Sequence, residues 1–370
     1  MAASNMAGAV LEGVELNSQN VERAVLQFYQ SGASQETHKW LTLAQLSPLA
    51  WTFCWDLIQP DKKFEVQFFG ASCLAVKVSR CWSELPADQY PELRKKLLDT
   101  MTGYQGPKIV LTRICVAMSG FIIHSSPDHW QDPISDIFNM FAPHLQGTNP
   151  SMRSLTLMLE LLTVIPEEFQ TLILSSQRRA AVRHTFAAGL GRVLPFLLDV
   201  ISHHSQQPEG TEAVLQACKC VKAWVQFGVP METCDLIVDR LLRCVSDEEL
   251  QDTVLEALSS LVSHPDTHKY PQTLMDVLKK LLPLDRVLHQ YMSEGSYEMC
   301  LPVLSLFITF GKISIKLIHS DLVVPGESHS RLLIDWATSS SEGRDVVLRL
   351  VTAILAASSC YAQFPTQVSL

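Results

Sequence analysis

The sequence predicts an all-α fold in which antiparallel helix pairs stack into a right-handed α-solenoid superhelix. From Asn20 onward, apolar residues recur at helical spacing in segments that are separated by short breaks of Pro, Asn, Ser or Gly. The first helices of successive pairs begin mostly about 40 to 50 residues apart, which is the period of HEAT and armadillo repeats. We therefore expect about seven to eight HEAT-type pairs that bury one continuous core by stacking.

Each predicted helix is an apolar stripe between two breaks, and consecutive helices are expected to pair. Pro107, Pro133 and Pro150 stand at helix entrances, where proline is tolerated. The acidic residues 247–249 are expected in the first turn of their helix, where they complement the helix dipole. The predicted pairs are 20–30 with 35–45, 48–58 with 64–83, 88–103 with 107–124, 133–141 with 150–164, 175–203 with 211–227, 231–245 with 247–263, 270–292 with 297–317, and 328–339 with 344–360.

Composition narrows the kinds of partner. The chain has 370 residues, 47% of them hydrophobic, and a formal net charge of −9. Non-specific nucleic-acid binding needs clustered Lys and Arg, so no direct nucleic-acid partner is expected.

The longest apolar run lies within residues 299–310, shorter than the ~20 residues of a membrane span, and no signal peptide is recognised. The ten cysteines lie mostly in apolar helical patterns, which is typical of core thiols in a reducing compartment.

Charge is distributed unevenly along the chain. Residues 61–113 contain nine Lys or Arg against six Asp or Glu, whereas residues 229–300 contain six against thirteen. These charges are interpreted either as solvated helix faces or as an acidic surface in the middle repeats for a basic partner. The pattern alone leaves both interpretations open.

A search for chemistry finds no catalytic constellation. The sequence has no glycine-rich phosphate loop, no His-Glu-x-x-His and no Gly-x-Ser-x-Gly motif. Cys218 and Cys220, with Cys234 and Cys244, have the wrong spacing for zinc, because residues i and i+2 point to different helix faces. No metal site, cofactor or catalytic residue is predicted. The chain is expected to act by binding other proteins, not as an enzyme.

Two segments resemble a known family. Residues 39–51 contain Lys-Trp-Leu and then Gln-Leu-Ser-Pro-Leu-Ala-Trp, and residues 65–74 read Glu-Val-Gln-Phe-Phe-Gly-Ala-Ser-Cys-Leu. Together they resemble the N-terminal motif of the importin-beta superfamily of nuclear transport receptors. Further segments that resemble this superfamily are 59–62, 88–90, 108–113 and 161–170.

The resemblance and the periodicity together predict a division of the chain. The predicted parts are a disordered N-terminus at 1–18, an importin N-terminal domain at 19–105, further HEAT repeats at 106–311, an atypical insertion at 312–327, and a partial, uncapped terminal repeat at 328–370. Because 370 residues is well under half the length of such receptors, a truncated or partial form is expected.

The resemblance also implies a function. Such a receptor shuttles between cytoplasm and nucleus, carries protein cargo and contacts Phe-Gly repeats of nucleoporins. The acidic charge of this chain leads us to expect cargo with a basic surface. It binds the small GTPase Ran in its GTP form through N-terminal repeats and needs no cofactor, since Ran carries the GTP. The residues expected to contact Ran are Gln67, Ser72, Lys77 and Arg113. The alternatives are ordinary exposed positions for these residues, and a generic HEAT-repeat scaffold or adaptor with no link to Ran.

Overall fold

The computed structural model describes residues 15–30, 35–145, 151–205 and 207–323, together with residues 345, 348, 349 and 352. Within these residues the chain forms α-helices and short 3-10 turns and no strand, which confirms the all-α prediction. The helices are α1 (Ser18–Gln30), α2 (Gln35–Leu46), α3 (Ala50–Leu57), α4 (Phe64–Arg80), α5 (Tyr90–Gly103), α6 (Lys108–Ser125), α7 (Pro133–Leu145), α8 (Met152–Thr171), α9 (Ser176–His204), α10 (Thr211–Phe227), α11 (Cys234–Leu242), α12 (Gln251–Val262), α13 (Pro271–Leu281), α14 (Leu284–Glu294) and α15 (Tyr297–Val323).

The chain forms two compact units, residues 1–189 and 190–370. In the first unit, α4, α6 and α8 pack side by side, and each also packs against the helix before it, α3, α5 or α7. Helix α6 is buried around most of its circumference, because it contacts α4, α5 and α8 at once. The first unit is therefore a stack of helix pairs, as the HEAT-type pattern predicts.

The second unit repeats this arrangement. Helices α10, α12 and α15 pack side by side, α11 packs on α12 and α13, and α14 packs on α15. Trp224 of α10 is completely buried in this layer. The handedness of the predicted superhelix stays a prediction.

Two predicted helix boundaries were wrong, both at proline. The predicted helix 270–292 is two helices, α13 and α14, separated at Pro283, which has no N–H to donate to the helix ladder. The helix predicted over residues 150–164 was expected to end before Pro166. The observed helix, α8, instead continues through Pro166 to Thr171. Ile165 and Phe169 are buried, and we attribute the continuation through proline to their packing in the core.

Two further boundaries differ. Residues 247–249 precede α12, and the Asp247 carboxylate accepts a hydrogen bond from the Glu249 N–H (3.0 Å) in the turn before it. Helix α15 continues to Val323, so residues 312–323 of the predicted insertion continue a helix. The predicted N-terminus up to residue 14, residues 324–327 and most of the last helix pair lie outside the described residues. The other predicted domain boundaries stay predictions.

The described cysteines are free thiols, and all of them except the half-buried Cys81 are buried. Burial raises the pKa of the Cys54 thiol to about 12, so this thiol stays protonated and behaves as a small apolar side chain.

Length and composition alone would let α6 and α9 cross a membrane. At least half of the most apolar 18-residue stretch of each helix is buried within the protein, and core helices pass the same test.

Two glycines of α9 provide a matched test of the packing. A Cβ at Gly189 would lie 2.8 Å from Cβ of Ile134 in α7, whereas a Cβ at Gly191 would have no neighbour within 4 Å. Overpacking should make Gly189→Ala destabilising by about 1 to 3 kcal/mol. Gly191→Ala should instead stabilise the protein by about 0.5 to 1 kcal/mol through helix propensity. Urea unfolding followed by circular dichroism measures both, and equal effects would contradict the described α7–α9 contact.

Candidate functional site

Helices α4 and α6 run parallel and in close contact. The guanidinium of Arg113 lies 5.6 Å from the centre of the Phe68 ring, and a Cβ at Gly120 would lie 3.0 Å from Cγ1 of Val78. Because Phe68 precedes Val78 on α4 and Arg113 precedes Gly120 on α6, the helices point the same way. The missing side chain at Gly120 allows the close approach near the C-terminal ends of the helices. The contact of Arg113 with Phe68 brings their N-terminal halves together.

The exposed side of this helix pair carries large apolar side chains beside a cation. Phe64, Phe68 and Ser72 follow one another at intervals of four residues on α4, and Ile109 and Arg113 do the same on α6. Phe64 is 54% exposed and Ile109 is 56% exposed. We call these five residues the α4–α6 face. Apolar side chains exposed next to an Arg are typical of protein-binding surfaces.

Helix α8 borders this face with carboxylates. The hydroxyl of Thr112 donates a hydrogen bond to Oε1 of Glu160 (2.6 Å), which ties α6 to α8. Burial raises the pKa of Glu168 above its usual range, and the charge of Arg113 partly offsets this rise. The charge of Arg113 on α6 therefore stabilises the carboxylate of Glu168 on α8. The Arg113 side chain itself is exposed.

Of the four residues that the resemblance predicts as contacts, Ser72 and Arg113 lie on the α4–α6 face, Ser72 half-buried and Arg113 exposed. The structure buries Gln67, contrary to the expectation of a solvent-facing position. The Gln67 amide donates hydrogen bonds to the carbonyls of Gln59 and Lys62, each at 3.0 Å, and accepts one from the Tyr104 hydroxyl. Burial raises the pKa of Tyr104 to about 12, so its hydroxyl stays a donor. Gln67 thus holds the α3–α4 connection in place.

Lys77 is also buried, whereas the sequence interpretation expected an exposed position, and its contact with Ran stays a prediction. Its ammonium forms an ion pair with Glu84, donates to the Leu46 carbonyl (3.4 Å), and lies 5.4 Å from the centre of the Trp51 ring. The Trp51 indole N–H donates to the same Glu84 carboxylate (3.1 Å). Lys77 therefore fastens the ends of α2, α3 and α4 to one another.

Sequence reasoning missed the apolar members of the face, Phe64, Phe68 and Ile109. One signal was available: Phe64 and Ile109 lie in the first turns of their helices, one or two residues from the buried positions Val66 and Val110. An apolar residue beside the buried stripe, rather than in it, is a candidate for exposure.

Two family models match the chain. The importin-beta N-terminal domain matches residues 37–102, and the model described as exportin 1-like protein matches residues 107–258. Residues 37–102 are thus similar to an importin-beta N-terminal domain. The domain includes α4, whereas α6 opens the exportin 1-like region, so the α4–α6 face forms where the two matched regions meet.

Relatives among characterised proteins agree with these matches. The chain is 35% identical over 357 residues to importin-13 of Bos taurus, and 36% identical over 327 residues to importin-13 of Homo sapiens. It is 22% identical over 306 residues to exportin-1 of Schizosaccharomyces pombe. These alignments cover 95%, 87% and 79% of the chain, but 35%, 32% and 28% of the relatives. The chain thus spans about a third of their length, and the predicted resemblance to the importin-beta superfamily is confirmed.

The different placement of Lys77 and Arg113 predicts opposite responses to the same substitution. Lys77→Glu places a second carboxylate against Glu84 at a buried site and should destabilise the protein by about 3 to 5 kcal/mol. Arg113→Glu changes an exposed side chain and should alter stability by less than about 0.5 kcal/mol. Thermal and urea unfolding of the two variants test this difference. Similar losses in both variants would contradict the burial of Lys77.

Proposed function

We propose that the chain acts as a nuclear transport receptor of the importin or exportin type, a karyopherin, and that its α4–α6 face binds Ran in the GTP form. The family matches support the receptor class. The observation that supports the site is the cluster of Phe64, Ile109 and Arg113, two exposed apolar side chains beside an unburied cation. Such a cluster offers both contact area and a fixed charge to a partner.

The packing suggests how binding at this face is transmitted. A partner that contacts both helices can shift α4 relative to α6, which pack closely where Gly120 lies against Val78. Helix α6 is also tied to α8 through Thr112 and Glu160, so a small shift of α6 is passed to the next pair. Helical repeats couple distant sites by summing such shifts, and Ran and cargo are then linked through curvature.

Titration of the chain with GTP-loaded and GDP-loaded Ran tests this proposal. We expect tighter binding to the GTP form, weakened by about tenfold or more in Ile109→Asp and in Arg113→Glu, as for residues that carry binding energy. The matched control is Ile173→Asp, since Ile173 is 98% exposed in the same unit but lies after α8 and is not one of the five residues of the face.

Three results would contradict the assignment: equal affinity for the two nucleotide forms, unchanged affinity in both face variants, or an equal loss in Ile173→Asp. The absence of any Ran binding would favour the alternative, a HEAT-repeat scaffold or adaptor with no link to Ran.

A groove beside α5 suits the Phe-Gly repeats of nucleoporins. It has a volume of about 360 Å³, and Tyr90, Leu98, Phe121 and Trp130 are among its lining residues. Its wall is preorganised, because the guanidinium of Arg94 stacks 3.5 Å from the centre of the Trp130 ring. A shaped aromatic groove accepts a Phe side chain at little cost in ordering.

Binding of a labelled Phe-Gly repeat peptide tests this second contact. Leu98→Gln should weaken binding severalfold, because it places an amide in the apolar wall of the groove. The same change at Leu236, which is 49% exposed on α11, is the matched control. A peptide in which Ser replaces every Phe should not bind. Equal affinities in the two variants would contradict this site.

The cargo of the proposed receptor is a protein with a basic surface. The support is the acidic excess of residues 229–300, six Lys or Arg against thirteen Asp or Glu. Shuttling between cytoplasm and nucleus follows from the receptor function and is proposed with it.

A further inference from the structure

A buried histidine joins the C-terminal end of α12 to the connection between α10 and α11. His264 lies in the turn that follows α12 and is only 3% exposed. Its Nε2 lies 2.9 Å from the carbonyl oxygen of Val229, just after α10, and its Nδ1 lies 3.1 Å from the backbone nitrogen of Asp266. The ring therefore links the ends of α10 and α12, which pack side by side in the second unit.

These two contacts select one protonation state of the ring. A carbonyl oxygen can only accept a hydrogen bond, so Nε2 of His264 carries a proton and donates it to Val229. The backbone N–H of Asp266 can only donate, so Nδ1 is the unprotonated acceptor. A second proton on the ring would point an N–H at the N–H of Asp266 and remove this hydrogen bond.

The surroundings of the ring also favour its neutral form. Burial lowers the pKa of His264, and the Val229 carbonyl and the Asp266 charge offset this effect only in part. Among the described residues, Asp266 is the charged group that shifts the titration of the ring, and its carboxylate pairs with Lys269 at 2.7 Å. The described parts of α10, α11 and α12 contribute no further charge that shifts it.

We propose that His264 is a pH-sensitive switch that holds the end of α12 on the α10–α11 connection when neutral and releases it when protonated. The turn that it releases also contains Thr267, whose hydroxyl donates to the His264 carbonyl (2.5 Å), so residues 264–267 move together. Mild acid then loosens the contact between the C-terminal ends of α10 and α12. The switch belongs to the second unit and does not rest on the proposed function.

The direction of the pH dependence follows from the two states of the chain. In the unfolded chain the ring titrates at its ordinary pKa of about 6.5. The folded ring has the lower pKa, so the unfolded chain binds more protons as the pH falls through this range. The stabilisation that His264 provides is therefore complete above pH ~6.5 and is lost progressively below it.

The first experiment compares urea unfolding at about pH 7.5 and about pH 5.5, followed by circular dichroism. The test variant is His264→Gln, because a Gln amide offers one N–H donor and one oxygen acceptor but does not titrate. The increase in the unfolding constant between the two pH values should be at least about threefold smaller in this variant than in the wild type. His289→Gln is the matched control, since His289 is exposed in the same unit, and it should respond to pH as the wild type does.

The second experiment locates the release by hydrogen–deuterium exchange, with rates corrected for the intrinsic effect of pH. We expect exchange over residues 227–233 and 262–268 to be faster at about pH 5.5 than at about pH 7.5 in the wild type and in His289→Gln. The exchange of these residues should be nearly independent of pH in His264→Gln.

Two results would overturn the proposal: the same pH response in His264→Gln as in the wild type, or acid-induced exchange that leaves both segments unchanged. A nuclear magnetic resonance titration of the His264 ring in the wild-type chain decides the matter even where His264→Gln does not fold. A pKa below the ordinary value supports the switch, and a pKa at or above about 6.5 would overturn it.

Discussion

The close parallel packing of α4 against α6 is the constraint on which the rest of the first unit depends. Gly120 leaves no side chain between α6 and Val78 of α4, so the helices approach closely. Since α6 is also covered by α5 and α8, little of its surface remains exposed. The residues left outside, Ile109 and Arg113 among them, are therefore determined by the packing. The α4–α6 face is therefore a by-product of how this core is filled.

Buried polar groups then make the arrangement rigid. Gln67 satisfies two carbonyls of the α3–α4 connection and one hydroxyl from the end of α5, and Lys77 joins the ends of three helices through Glu84 and Trp51. Buried hydrogen-bonding groups that are all satisfied resist rearrangement, because any shift leaves one of them without a partner. This rigidity keeps Phe64 and Phe68 in place on α4, and a preorganised surface loses less entropy when it binds.

Local periodicity predicts much of the fold, because apolar spacing in a helix is a local property. It predicts α10 at the bounds that are observed, 211–227, and it predicts the order of the helix pairs. It fails at Pro166, where tertiary packing overrides the local preference and α8 continues. It also fails at Pro283, where the predicted helix ran through a proline that separates α13 from α14. It also fails for the site, since a polar residue on a helix is expected in solvent. The partners that bury Gln67 and Lys77, such as Tyr104 and Trp51, are distant in sequence and invisible to a local pattern.

The central claim is that a partner binds across the N-terminal halves of α4 and α6. Hydrogen–deuterium exchange of the chain, with and without GTP-loaded Ran, tests it most directly. The account predicts slower amide exchange over residues 64–72 and 108–116 in the complex, and unchanged exchange in α12 of the second unit. Protection confined to the second unit, or absent from both helices of the first, would contradict it.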